Sequence, residues 1–151
     1  NLYDFYQLTF MRKSGTPTFT REFFMTVAQY LRAVLATEDS KPVAGAILYE
    51  GGDALYGRHW GCYEHYDNLH FEVCYYQGIE YCIQRGLDLF EPGAQGEHKI
   101  WRGFLPVKTC SAHWLADERF HAAIADFLQR ESASVEEYGR QLEESSPYSK
   151  Q

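Results

Sequence analysis

The fold is decided by one stretch of the chain, residues 68–91, which reads NLHFEVCYYQGIEYCIQRGLDLFE. Its first part predicts a helix over residues 69–85. Asn68 can cap the first turn of that helix, and Gly86 suits the left-handed position that commonly follows a helix C-terminus. The last part, residues 88–91, predicts a short buried strand directly after the helix.

Upstream of this stretch, the pattern predicts three consecutive strands joined by short turns. The strands are residues 33–37, 43–49 and 54–60, with turns at 38–42 and at Gly51-Gly52-Asp53. Short connections between consecutive strands indicate an antiparallel meander. The third strand, the helix and the strand at 88–91 then form a crossover unit, which is usually right-handed. The predicted fold class is therefore α/β, with an α+β mixed sheet.

Helices are predicted at the beginning of the chain as well. Residues 2–11 predict a short aromatic-rich helix. Thr20 can cap a second helix, with Phe19 before it and Phe24 after it placed as a hydrophobic staple. The buried stripe of this second helix is predicted to consist of Phe24, Val27, Ala28 and Leu31, which follow one another at helical spacing.

The C-terminal third predicts a loop, an irregular segment and a helical tail. Residues 92–97 predict the loop, and residues 101–113 predict a strand or irregular structure. The tail has an apolar face formed by Phe120, Ile124, Phe127, Leu128, Val135, Tyr138 and Leu142. Ser134 and Glu137 match a capping box and predict that a second helix begins there. Because no linker or repeat interrupts the chain, we expect a single domain over residues 1–151.

Composition excludes several classes of function. The net charge of −7 argues against a DNA-binding surface, which needs clustered Lys and Arg. No apolar run is long enough to cross a bilayer. The four cysteines are too few and too widely spaced for a secreted disulfide framework, so we expect free thiols and a cytoplasmic location. His59, Cys62, His65, His70 and Cys74 match no zinc spacing, so no metal site is predicted.

The strongest candidate site is the segment 90–99, FEPGAQGEHK. A strand leads here into a glycine-containing loop, and loops at the carboxyl ends of strands are where α/β proteins place ligands. Gly93 and Gly96 would let backbone N–H groups approach an acyl oxygen or a phosphate. Glu97 and His98 could supply a general base for an amine. The alternative is an ordinary turn whose charged residues are merely solvated.

Four segments together carry a family resemblance: residues 69–81, Arg85-Gly86-Leu87, the segment 90–99, and Arg102-Gly103-Phe104. They resemble a bacterial family of peptidoglycan-biosynthesis proteins, relatives of FemAB within the GNAT acyltransferase superfamily. Ser111-Ala112-His113-Trp114 and the helical tail resemble the C-terminus of that family, so the resemblance covers nearly the whole chain. It implies an acyl-CoA N-acyltransferase fold, with a mixed sheet, a central cleft and flanking helices. It also implies that the chain, which begins at Asn1, is the C-terminal half of a longer protein.

The resemblance implies transfer of an acyl or aminoacyl group to an amine acceptor, which is a small molecule or a peptide such as a peptidoglycan precursor. The donor is acetyl-CoA, another acyl-CoA or aminoacyl-tRNA. Glu97 or His98 would deprotonate the amine, and Tyr75 or Tyr76 would protonate the leaving group. Substrate would be held by Gln95, Lys99 and Arg102, with Arg58 and His59 across the cleft.

Two other interpretations remain alongside the enzyme. The chain could be a binding module that recognises a cell-wall peptide or a protein through the aromatic loop 60–66. It could also be a structural half that completes a cleft in the N-terminal half of its own full-length chain. Composition and motifs do not separate these interpretations, and they leave the oligomeric state open.

Overall fold

A computed structural model describes residues 1–12, 14–94 and 96–148. The chain divides into two compact units, Asn1–Ala94 and Gln95–Gln151. The single domain predicted over residues 1–151 stays a prediction. Of the predicted site residues, Gln95 lies outside the described part of the chain. Within that part, no helix is both long and apolar enough to cross a membrane.

The first unit is built on a four-stranded mixed sheet in the order β1-β2-β3-β4. The strands are β1 (Leu31–Glu38), β2 (Lys41–Gly51), β3 (Ala54–Cys62) and β4 (Leu89–Glu91). The first three pair antiparallel, as the short turns predicted, and β4 pairs parallel to β3 after a helical crossover. The predicted α/β class, with its meander and crossover, is confirmed, and the arrangement agrees with an α+β, GNAT-like fold.

Helices cover both faces of this sheet. The helices α1 (Leu2–Arg12) and α2 (Arg21–Thr26) pack on one face. As predicted, the Thr20 side chain caps α2 by accepting a hydrogen bond from Phe23 N. The hydroxyl of the fully buried Tyr6 accepts hydrogen bonds from Thr18 N and Phe19 N, at 3.0 and 2.9 Å. This hydroxyl therefore ties the α1–α2 connection to the core.

Only Phe24 of the predicted stripe lies in α2 and is buried, because α2 ends at Thr26 and Ala28 is exposed. After α2 the chain tightens into a 3₁₀ turn, Ala28–Tyr30, and Leu31 is the first residue of β1, where it pairs with Tyr49. A three- or four-residue spacing of apolar residues suits either a helix or the junction of a helix with a strand. Pairing with β2 therefore decides the structure at Leu31.

The opposite face is covered by the crossover segment, which is not one regular helix. It consists of α3 (Leu69–Phe71), a π-helical turn (Glu72–Tyr76) and α4 (Gln77–Arg85). Asn68 does not cap it with its side chain, because its backbone is left-handed, at φ 61°. Gly86 ends α4 in the predicted left-handed conformation, at φ 66°. The core on this face contains Ala46, Leu48, Leu55, Val73 and Cys82.

The second unit contains a 3₁₀ helix, Glu97–Arg102, and one long helix, α5 (Glu118–Glu144). Glu97 thus begins a helical turn rather than ending the predicted loop, and the segment 104–114 is irregular. The second helix predicted at Ser134 is wrong, since Ser134 lies within α5 and its hydroxyl donates to Arg130 O. Most apolar side chains of α5 are exposed.

Candidate functional site

A bulge in β3 creates a cluster of polar side chains in the first unit. Ile47 of β2 pairs with His59, whereas the next residue, Leu48, pairs with Gly57. Arg58 is therefore the extra residue of a β-bulge, a feature that often re-aims side chains beside active sites. The parallel pairing of β3 with β4 ends at the same level, with Tyr56 opposite Glu91, while β3 continues to Cys62.

Arg58 and Glu91 bridge the point where β3 and β4 separate. Arg58 Nη1 and Nη2 donate to the two carboxylate oxygens of Glu91 at 3.0 and 2.9 Å, a bidentate arrangement. Arg58 Nη1 also donates to Gly57 O, and its guanidinium lies 5.3 Å from the centre of the Tyr56 ring. Both side chains of the pair are substantially exposed, so the pair is accessible from solvent. We call Tyr49, Tyr56, Arg58, His59 and Glu91 the bulge cluster.

His59 is the half-buried member of the bulge cluster. Its ring meets that of Tyr6 edge to face, with centroids 4.8 Å apart, and it also contacts Phe10, Phe19 and Phe24. Burial lowers the pKa of His59, and the positive charge of Arg58 lowers it further. The imidazole is therefore neutral at pH 7, which is the form that can accept a proton.

This shift makes stability depend on pH in a defined direction. The unfolded chain, with an ordinary histidine pKa of about 6.5, binds the proton more tightly than the folded chain. The free energy of unfolding should therefore fall as the pH drops below about 6.5. Above that pH, the stabilising contribution of the neutral His59 should be complete. His59→Phe keeps the ring packing and should flatten this dependence in denaturant titrations between about pH 5 and 7. If the pH dependence of the free energy of unfolding were unchanged in His59→Phe, the lowered pKa of His59 would be contradicted. His98→Phe is the control that measures the contribution of His98, whose pKa is also lowered.

Tyr49 places a buried hydroxyl in the bulge cluster. Its Oη has no hydrogen-bond partner among the described residues, and burial raises its pKa, with a smaller contribution from Tyr6. An unsatisfied buried polar group costs about 1–3 kcal/mol. Within an otherwise packed core, such a group indicates a position kept for a reason other than stability.

Tyr49→Phe should accordingly raise the free energy of unfolding by about 1 kcal/mol, because it removes an unsatisfied hydroxyl and preserves the ring. Tyr6→Phe is the matched control and should lower it, since two backbone N–H groups lose their acceptor. Chemical denaturation of both variants measures the difference. Destabilisation by Tyr49→Phe would show that its hydroxyl has a partner.

Tyr75 is the predicted site residue that lies in the crossover segment. It lies in the π-helical turn Glu72–Tyr76 and is 3% exposed, with its ring against His70 and Phe71. Tyr76, its predicted alternative, is exposed. A π-helical turn is rare and often marks a functional position. Burial of Tyr75 nevertheless means that a leaving group would reach it only after a local movement.

The segment after β4 contributes residues to both units. Gly93, in the first unit, has the left-handed φ of 94° that favours glycine. Gly96, in the second unit, has φ 110°, and the His98 ring lies over it so closely that an added Cβ would be 2.4 Å from His98 Cε1. The space beside Gly96 is thus filled by an imidazole.

A short basic turn follows in the second unit. Glu97 accepts a hydrogen bond from the Tyr138 hydroxyl, and Arg102 Nη1 donates to His98 O at 2.7 Å. Lys99 is buried, at 9% exposure. Burial lowers the pKa of His98, and the charges of Arg102 and Lys99 lower it further. His98 is therefore a neutral imidazole at pH 7, the form that can accept a proton.

Sequence reasoning identified part of this arrangement. The structure brings Arg58 and His59 together on the bulge, and Glu97, His98, Lys99 and Arg102 together on one 3₁₀ turn. It adds Tyr49 and Tyr56, which sequence reasoning missed, and it pairs Arg58 with Glu91, which lay in the candidate segment 90–99 without an assigned role. The position of Glu91 at the carboxyl end of a strand, just before Pro92-Gly93, was a usable signal. Among the described residues, no group of three or more His, Cys, Asp or Glu side chains could hold a metal ion.

Comparison with known proteins identifies the family. The family model named FemAB-like, described as peptidoglycan biosynthesis/recognition, matches residues 1–150. No curated protein and no solved structure matches the chain. The match covers both units, including the bulge cluster and the basic turn that follows β4. The chain belongs to the FemAB-like family and has a role in peptidoglycan biosynthesis or recognition.

Proposed function

We propose that the chain transfers an acyl or aminoacyl group from a carrier to an amine of a peptidoglycan precursor. The carrier is acetyl-CoA or another acyl-CoA, with aminoacyl-tRNA as the other possible donor. The observation that carries the proposal is the separation of two parallel strands, β3 and β4, at a bulge lined with Arg58, Glu91 and Tyr56. Such a junction offers strand-edge amide groups and side-chain polar groups to an extended donor.

The chemistry requires an amine that has lost its proton. Its nitrogen attacks the acyl carbon, a C–N bond forms, the bond from that carbon to the carrier's sulfur or oxygen breaks, and the leaving group takes up a proton. A neutral histidine suits the first proton transfer, and burial favours the neutral form of His98. Glu97 is the alternative base, and Tyr75 the candidate proton donor. Lys99 and Arg102 are the candidate substrate-binding cations of the second unit. Gly93 in the first unit and Gly96 in the second are each a separate candidate backbone donor for an oxyanion.

The general-base assignment predicts that Glu97→Ala combined with His98→Ala abolishes turnover while the chain remains folded. Both side chains are outside the buried core, so a large effect on stability is not expected. Tyr138→Phe is the control, since it removes the hydrogen bond to Glu97 and keeps the carboxylate. Steady-state transfer rates measure the activity of each variant, and far-UV circular dichroism shows whether the variant remains folded. Full activity in the double variant would eliminate both residues as the base.

Recognition without chemistry is the second candidate function. It is favoured by the burial of Tyr75, which leaves the proposed proton donor enclosed, and by the exposed Tyr63 in the aromatic loop. A recognition module would hold a cell-wall peptide on that loop and would need no donor site. Binding of an acyl donor is therefore expected of the enzyme and not of the recognition module.

Thermal unfolding with and without millimolar acetyl-CoA, free CoA and a longer acyl-CoA tests the donor site. A ligand at about 100 times its dissociation constant adds about 2.7 kcal/mol to the free energy of unfolding, which raises the melting temperature by several degrees. We expect this rise with the CoA compounds. No rise with any of them, together with tight binding of a cell-wall peptide, would favour recognition.

A further inference from the structure

β1 forms one edge of the sheet, and its outer side is open. The strand order ends at β1, which pairs with β2 on its inner side. Within the described part of the chain, backbone hydrogen bonds join residues 32–38 to β2 and to no other element. An open edge presents a row of unpaired N–H and C=O groups. The outer side of β1 is therefore a surface on which a further strand can pair.

The sequence of β1 lacks the usual protection of an edge strand. Proteins commonly block an open edge with charged side chains, with proline or with a bulge that distorts the strand. Residues 33–37, AVLAT, contain neither a charge nor a proline. The irregularity in the pairing places the extra residue, Val43, in β2 and leaves β1 regular. Ala33, Leu35 and Thr37 are exposed, and the exposed fraction of Leu35 is 46%. This composition indicates an edge that another strand covers.

The charges at the two ends of β1 suit antiparallel pairing of the strand with itself. Arg32 and Glu38 each lie three residues from Leu35, on opposite sides of it. Antiparallel pairing about a two-fold axis at Leu35 places Arg32 of each copy opposite Glu38 of the other. A shift of this register would place Arg32 opposite Ala36, or Glu38 opposite Val34. Opposite charges facing each other across a strand pair are favourable, so the charges select the register centred on Leu35.

The positive end of β1 keeps its charge although Arg32 has partners in its own chain. Arg32 Nε donates to Glu50 and to the Tyr81 hydroxyl, at 2.8 and 2.7 Å. Arg85 Nη2 lies 3.7 Å from the same Glu50 carboxylate. This group of side chains contains two guanidinium groups and one carboxylate, so it carries a net positive charge close to the beginning of β1.

We propose that two copies of this chain pair through β1, antiparallel about a two-fold axis at Leu35. The two four-stranded sheets then form one continuous sheet. The interface is self-complementary, as a two-fold axis requires. Leu35 packs against Leu35 of the second copy, with Ala33 opposite Thr37 on either side. The proposal goes beyond acyl transfer, because β1 lies at the far edge of the sheet from the junction of β3 and β4.

Analytical ultracentrifugation tests the pairing. We expect the wild-type chain at high micromolar concentration to sediment with twice the monomer mass of 17.5 kDa. Leu35→Lys and Leu35→Glu each place like charges opposite each other on the two-fold axis, which destabilises a strand pair. Each variant alone should therefore sediment as a monomer. An equimolar mixture of the two should restore the dimer, because a lysine then faces a glutamate.

Leu89→Lys is the matched control, since it introduces the same charge at an exposed leucine of the other edge strand, β4. This variant should remain dimeric. A monomeric wild-type chain, a dimer that persists in both Leu35 variants, or a mixture that stays monomeric would overturn the proposal. Circular dichroism shows whether each variant remains folded.

Leu35→Cys provides a second measurement that does not depend on the charged variants being folded. A short bismaleimide should join two Leu35→Cys chains at residue 35, because residues directly opposite each other in a strand pair have Cβ atoms about 5 Å apart. Mass spectrometry of the peptides identifies the joined residues. Ile83→Cys, at an exposed position of α4, is the control and should not be joined to its own copy at residue 83. Absence of a link between the two residues 35 would contradict the pairing.

Discussion

Replacing Gly61 with alanine should lower the free energy of unfolding by about 3 kcal/mol. A Cβ built at Gly61 lies 2.1 Å from Phe5 O and 2.6 Å from Phe5 C, which are backbone atoms of α1. Backbone atoms cannot rotate away as a side chain does, so α1 would have to move off β3. Phe5 and Tyr6 are almost completely buried and would lose packing with it. The melting temperature should fall by more than about 10 °C.

Gly51→Ala is the matched control for this prediction. Gly51 is also a strand residue, but a Cβ built there has no neighbour within 4 Å. The control should change the free energy of unfolding by less than about 0.5 kcal/mol. Calorimetry of the two variants compares them directly. Equal stability of Gly61→Ala and Gly51→Ala would contradict the close packing of α1 on β3.

Replacing Arg58 with alanine should lower kcat/KM for acyl transfer by about 100-fold. Arg58 holds Glu91 across the point where β3 and β4 separate and lies over the Tyr56 ring. Its loss removes the cation of the bulge cluster and the bidentate hydrogen bonds to Glu91. Because both members of the pair are substantially exposed, the free energy of unfolding should change by less than about 1 kcal/mol.

Arg130→Ala is the control for the loss of a surface ion pair. Arg130 pairs with Asp126 at 2.8 Å on the exposed surface of α5, much as Arg58 pairs with Glu91 at 2.9 Å. Its removal should leave transfer rates unchanged. Wild-type kcat/KM in Arg58→Ala, or an equal loss in Arg130→Ala, would remove the bulge cluster from the proposed mechanism.

Local signals predicted much of the fold. The cap at Thr20, the turn at Gly51-Gly52-Asp53 and the left-handed Gly86 are set by neighbouring residues, and all three are confirmed. These features depend on hydrogen bonds or φ angles within a few residues. The strand order follows from connection length, because short connections favour antiparallel neighbours and a helical crossover permits a parallel strand.

Features that depend on tertiary pairing could not be predicted in this way. Arg58 is an extra residue in β3 only with respect to the pairing of β3 with β2. No local sequence motif marks this bulge. The same register places Tyr49 beside Tyr56, and the parallel pairing places Tyr56 beside Glu91. The π-helical turn Glu72–Tyr76 also lacks a sequence signal. The composition of the bulge cluster therefore became visible only in the structure.

The most direct test of the central claim is a transfer assay with the wild-type chain. The chain is incubated with acetyl-CoA, and separately with aminoacyl-tRNA, in the presence of soluble peptidoglycan precursors bearing a free amine. Mass spectrometry then reports acylated precursor. Acyl transfer predicts a product with one added acyl group on nitrogen, and this product should form about 100-fold more slowly in Arg58→Ala. Precursor that binds but is never acylated by either donor would contradict acyl transfer and identify the chain as a recognition protein.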